Sequence, residues 1–144
     1  MLFYNKNTMT KAQKRFAIAV PLGILFGFLC AYGASQNMWP NFWGSAMMWF
    51  IVASRFLTGF MIACVGVYTV HPLLWFKLNA FKRGPWIGAI TSLPMATGSM
   101  IWNGMAEPTW GVFFGIIVAG MIIGMIIDFC ATKWWGEGKD LLGK

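Results

Sequence analysis

Arg55 stands as the one charge within residues 43–70, a stretch apolar enough to cross a bilayer. A guanidinium at mid-membrane costs about 2.5–3.5 kcal/mol on insertion scales, so it is normally paired, turned into a bundle, or functional. Its chemistry is electrostatic: five N–H donors can hold an anion, a lipid headgroup or bare carbonyls. The third apolar stretch offers partners in Thr91, Ser92, Pro94, Thr97 and Ser99. Pro94 in particular frees a carbonyl one turn earlier in its helix. Asp128, near the end of the fourth apolar stretch, is the other charge of interest. It reads first as a solvated or Lys133-paired carboxylate at a helix end where the dipole disfavours it. The sharper reading is a proton or cation site between subunits.

Other chemistry is poorly supplied. The chain has four acidic residues and one histidine, and it lacks a nucleophile elbow, a phosphate-binding glycine loop or metal-spaced histidines. We therefore expect no enzyme and no cofactor or metal. His71, ahead of Pro72, reads as a polar cap at a helix end. Cys30, Cys64 and Cys130 fall in three different apolar stretches with no paired spacing. That pattern indicates neither a zinc site nor a disulfide framework. Eleven methionines read as adaptable packing rather than copper ligands.

The elements that must position Arg55 and Asp128 follow from composition. Of 144 residues, 58% are hydrophobic and 10% charged, and the mean hydropathy is +0.64. Lipid is the solvent that suits such a chain. Spans of about 17–25 apolar residues are sought for a bilayer crossing, and residues 16–34, 45–70, 86–102 and 110–132 qualify. Backbone groups in hydrocarbon must bond within their own segment, which makes these runs helices. The fold class is an all-α integral membrane protein, a four-transmembrane-helix bundle forming one domain over 1–144. The first run also has the outline of a signal peptide, with Lys11, Lys14 and Arg15 ahead of it. It is longer than the usual apolar core of such a signal and is read as a retained helix.

Orientation follows from basic residues, which favour the cytoplasmic side of short loops. Lys6, Lys11, Lys14 and Arg15 precede the first span, Lys77, Lys82 and Arg83 separate the second and third, and Lys133, Lys139 and Lys144 follow the fourth. Residues 35–44 and 103–109 carry none. Both termini are expected in the cytoplasm, with the chain in the cell (inner, cytoplasmic) membrane and anionic headgroups as partners. The net charge of +7 arises from the same asymmetry and does not call for nucleic acid. Tryptophans 39, 43, 49, 75, 86, 102, 110, 134 and 135 fall near span ends, as an aromatic belt would. Between the second and third spans, residues 73–83 suggest a short interfacial helix with Leu74, Leu78 and Phe81 on one side, closed by Gly84-Pro85.

Small residues recur at intervals of four: Gly23 and Gly27; Gly59 and Ala63; Gly84, Gly88 and Ser92; Gly111 and Gly115; Gly120 and Gly124. This spacing lets membrane helices approach closely. Arg55 shares a face with Gly59 and Ala63, and Asp128 with Gly120 and Gly124, so both charges are expected to face protein. They lie at different depths, by roughly 13 Å at 1.5 Å per residue, which excludes a direct pair. A shift of 61 positions matches Trp49 to Trp110, Gly59 to Gly120 and Ala63 to Gly124, hinting at a repeated hairpin.

Two functions fit. The chain is a non-enzymatic subunit of a homo-oligomeric or multi-protein membrane assembly, through self-association or other membrane subunits. Alternatively, it is a small oligomeric channel or transporter favouring anions, with Arg55 and the polar third helix lining the path.

Overall fold

A computed structural model describes residues 9–36, 42–70, 77, 79–102, 110–138 and 141. Four helices make up the fold: α1 (Lys11–Ser35), α2 (Ala46–Val65), α3 (Ala80–Trp102) and α4 (Trp110–Trp135). Local chemistry sets their ends. Thr10 caps α1 with its hydroxyl on the Gln13 N–H at 3.2 Å, while the Gln13 side chain returns to the Thr10 N–H at 2.8 Å. Ser45 caps α2 by accepting from the Met48 N–H at 3.2 Å. α2 ends at Val65, five residues short of the expected end of its span, with Gly66 as its cap. α4 closes at Gly136, whose φ of 79° suits a residue without a Cβ and whose N–H reaches the Thr132 carbonyl at 2.8 Å.

Three of these helices, α1, α2 and α4, are long and apolar enough to cross a membrane. α3 is as long, but its glycines, hydroxyls, Lys82 and Arg83 keep it below that threshold of apolarity. It also starts earlier than the third span expected from sequence. Gly84-Pro85 lies inside α3 and does not precede it, at the cost of the one N–H that would have reached the Phe81 carbonyl. Phe81 to Arg83 therefore belong to α3 rather than to a separate interfacial helix. Residues 73–76 and 78 of that expected connector, and His71 and Pro72 ahead of it, lie outside the described residues. Lys77 pairs with Val70 in an isolated antiparallel bridge.

The helices run up, down, up, down and close into a ring. α1 packs on α2 and α3 on α4 most extensively, α1–α4 and α2–α3 complete the ring, and α2 meets α4 across it. Glycines set the close approaches. A Cβ built on Gly23 would stand 2.6 Å from the Arg55 carbonyl oxygen and 3.2 Å from Gly59 Cα. In the second hairpin a Cβ on Gly88 would strike the Gly120 carbonyl and stand 3.3 Å from Gly124 Cα. Gly59 against Ala19 is matched in the same way by Gly124 against Gly84.

Each of these equivalent residues is 65 positions from its mate, which makes the hairpins α1–α2 and α3–α4 structural repeats in one register. The shift of 61 suggested by tryptophan and glycine matches is thus displaced by one helical turn, a slip that preserves the glycine spacing but not the contacts. At 65, Phe16 aligns with Phe81, Ala31 with Ala96, Gly33 with Gly98, Ile51 with Ile116 and Ile62 with Ile127. The buried positions follow the same register: Arg55, Thr58, Gly59, Ile62 and Ala63 on α2 correspond to Gly120, Ile123, Gly124, Ile127 and Asp128 on α4. Gly111 and Gly115 differ from these close-packed glycines. A Cβ on either meets nothing within 4 Å, so the expected packing role of Gly115 is not met by any contact within the described chain.

Candidate functional site

Two polar layers lie inside the ring. The first is built on α2 and α3. Arg55, 1% exposed, donates from Nη1 to Ser92 Oγ at 2.6 Å. Beside it the Thr58 and Thr91 hydroxyls share a hydrogen bond at 2.8 Å, and Ser54 Oγ reaches the Thr91 carbonyl at 3.3 Å. Thr58 and Thr91 also bond back to Ser54 and Ile87 carbonyls one turn earlier, at 3.0 and 2.8 Å. No carboxylate faces Arg55 among the described residues, and its buried Nε has no partner there.

Of the partners expected for Arg55, Ser92 holds it and Thr91 is one step away. Pro94 and Thr97 are on the exposed face of α3, Thr97 donating to the Leu93 and Pro94 carbonyls at 3.0 Å, and Arg55 donates to Ser92 Oγ rather than to the Ile90 carbonyl that Pro94 frees. The reason is rotation: positions 91, 92, 95, 96 and 99 face inward at helical spacing, whereas 93, 94 and 97 face out. Ser99 is buried but bonds the Ala96 carbonyl at 2.7 Å.

The second layer lies where α1 and α3 begin and α2 and α4 end. Asp128 is fully buried and takes both arginines that open the odd-numbered helices. Arg83 grips it bidentately, Nε to Oδ2 at 2.8 Å and Nη2 to Oδ1 at 2.9 Å. Arg15 Nη2 meets Oδ1 from the other side. Thr132, one turn on from Asp128, accepts from Arg15 Nη1 and from Arg83 Nη2, each at 3.1 Å.

Backbone oxygens absorb further donors: Gly136 from Arg15 at 2.9 Å, and Tyr68 from Arg83 at 3.1 Å. Glu137 accepts from Arg83 Nη2 at 3.1 Å. Two arginines thus face two carboxylates, and further donors reach carbonyls and the Thr132 hydroxyl, which offsets much of the cost of burying the ions, while the buried Arg15 Nε has no partner among the described residues. Gly66 gives Arg15 its passage, since a Cβ there would collide with the guanidinium. The chain after α4 folds over this layer, with Gly138 at φ 68° donating to the Gly66 carbonyl at 3.0 Å.

Asp128 is therefore neither solvated nor paired with Lys133. The Lys133 ammonium lies instead 6.0 Å from the centre of the Phe129 ring. Arg15 and Arg83, which the positive-inside pattern places at the interface, are buried, at 0% and 1% exposure. The signal lay in charge economy: a carboxylate at the C-terminal end of an apolar helix needs a cation, and arginines open the helices that begin at that end. The two layers stay separate, as the depth argument required. Arg55 aligns with Gly120 in the repeat register, eight residues from Asp128, or about 12 Å along a helix.

Between the layers sit Ala19, Ile62, Ile87, Ile123 and Ile127 in one apolar cluster, and beyond Arg55 a second cluster joins Ala31, Met48, Ile51, Val52 and Met95. Among the described residues, no three His, Cys, Asp or Glu side chains converge as metal ligands would. Comparison with protein-family models, with curated proteins and with solved structures returns no match.

Proposed function

We propose that the chain is a non-enzymatic membrane subunit whose four helices all span the bilayer, with both termini and the Asp128 end in the cytoplasm. Support for the fourth crossing comes from α3 itself. It runs alongside α4 from the level of Gly124 past that of Gly120, and it shares the Arg55 layer with α2. A helix so placed occupies the same depth as its neighbours. Orientation rests on Lys11, Lys14, Lys77, Lys82 and Lys133, all at the Asp128 end. Large apolar side chains such as Leu25, Leu29, Phe56, Ile90, Phe114, Val118 and Ile122 face outward, where lipid or other membrane helices would cover them.

The observation that favours an assembly subunit over an anion channel is the sealing of the Arg55 layer by apolar clusters on both sides. Ile62 and Ile127, equivalent in the repeat and each 0% exposed, close the way toward Asp128. A path for ions along the axis of one chain has no polar continuity through that point. Self-association or other membrane subunits are the partners that this reading requires.

The test has two arms. Protein purified in mild detergent is weighed intact by native mass spectrometry, and the same preparation in liposomes is assayed for flux of chloride, nitrate, potassium and protons. The subunit reading expects a defined multimer or co-purifying membrane protein and no flux. Selective anion flux that changes in Arg55→Gln would establish the channel instead.

A further inference from the structure

We infer that a groove between α3 and α4 holds one acyl chain of an anionic phospholipid, with the lipid phosphate at Lys82. The groove has a volume of about 450 Å³ and is lined by Lys82, Pro85, Trp86, Ala89 and Met121. Four of these lie three or four residues apart on one stripe of α3, so the groove follows the helix. From Lys82 to Ala89 it extends about 10 Å at 1.5 Å per residue. Its lining is apolar except at one end, where the ammonium stands. The small Ala89 leaves the floor open, and the flat Trp86 forms a wall.

Charge runs the same way as shape. Lys82 is exposed on the first turn of α3, at the bundle end where the Asp128 layer collects Arg15 and Arg83. The neighbouring residue, Phe81, meets Phe129 of α4 at 5.4 Å between ring centres, and Lys133 lies over that second ring. Lys82 thus supplies the positive end of the groove, and no carboxylate lines it among the described residues. A cation at headgroup level with an apolar channel descending from it is the complement of a phospholipid with a net negative head. A zwitterionic head meets the same groove with its own positive charge near Lys82. Trp86 suits the boundary, its ring apolar and its N–H polar.

The inference rests on the membrane reading, with the Asp128 end at the cytoplasmic headgroups. The full chain is reconstituted in nanodiscs of phosphatidylglycerol and phosphatidylcholine in equal parts, then released into detergent for native mass spectrometry. One phosphatidylglycerol is expected to stay bound in preference to phosphatidylcholine. Lys82→Gln should lower that retention about fivefold, the size expected of one lysine near an anionic surface. Ala89→Phe, which fills the groove without touching the charge, should lower it as much. Lys11→Gln, at the same end on α1, should leave it unchanged.

Equal retention of both lipids, or retention unaffected by Ala89→Phe, would overturn the site. So would a dimer that Ala89→Phe dissolves while no lipid is seen, since the groove would then hold a second copy. A chain released from membranes by alkaline carbonate would instead sink the membrane reading. Firm insertion with no retained lipid sinks only the groove.

Discussion

Arg55 and Gly120 hold the same position in two repeated hairpins, and the one makes room for the other. A Cβ on Gly120 would collide with Ser92 Oγ, the atom that accepts the Arg55 hydrogen bond. The equivalent of Ser92, Gly27, stands with its virtual Cβ 3.4 Å from the Arg55 side chain. One arginine and one serine meet inside the ring because their repeat mates are both glycine. A symmetric bundle would place two guanidiniums in one space, so the duplicated fold holds its charge by departing from its own symmetry.

The first prediction concerns that pair. Ser92→Ala leaves a buried guanidinium with one fewer acceptor and should destabilise the protein by about 1.5–3 kcal/mol. In an Arg55→Met background, where nothing charged needs the hydroxyl, the same change should cost under about 1 kcal/mol. Thermal unfolding of the four proteins in one detergent measures the coupling. Additive losses would mean that Ser92 does not serve Arg55.

Asp128→Asn strips both arginines of their shared carboxylate while leaving them buried. A loss of about 3–5 kcal/mol is expected, the range for removing one partner of a buried ion pair. Arg15→Met made together with Asp128→Asn should recover part of it, since Arg83 keeps Glu137. The Glu137 side chain is itself 32% exposed, and solvent screening should hold the cost of Glu137→Gln below about 1 kcal/mol. Melting temperatures of these variants, read at one lipid-to-detergent ratio, decide the order.

Glycine positions give a steric contrast. Gly88→Ala puts a methyl against the Gly120 carbonyl inside a tight helix pair and should cost about 1–3 kcal/mol as overpacking. Gly115→Ala meets open space and should stay within about 0.5 kcal/mol, or gain slightly from helix propensity. If Gly115→Ala instead breaks an oligomer seen by native mass while the fold survives, its face is a subunit contact.

Topology is checked by labelling. With the native cysteines replaced, Gln36→Cys at the end of α1 should react with a membrane-impermeant maleimide added outside intact cells. Lys11→Cys should react only after permeabilisation. Labelling of both from the same side would mean that α1 does not cross.

Much was legible from residue types alone. Composition and the length of apolar runs pointed to helices, of which three are long and apolar enough to cross a membrane, because backbone groups in hydrocarbon have no partner but their own helix. The four-residue spacing of glycines determined which faces could approach, and the depth of Arg55 and Asp128 ruled out their pairing. Ser92 is among the partners that residue types alone offer Arg55, and it is the one that accepts its hydrogen bond.

What the tertiary structure decided is register and rotation across helices. A slip of one turn, from 65 to 61, still sets Gly23 and Gly59 on glycines, Gly84 and Gly120 instead of Gly88 and Gly124. Only backbone contact at Gly23, Gly59, Gly88 and Gly124 selects between the two. Rotation of α3 turned Ser92 inward and Pro94 outward. Ring closure brought the first turns of α1 and α3 onto the last turns of α4, converting Arg15 and Arg83 from headgroup charges into the partners of Asp128. A sequence states how much charge each end carries. Which charges leave the surface depends on helices that come together only in the folded ring.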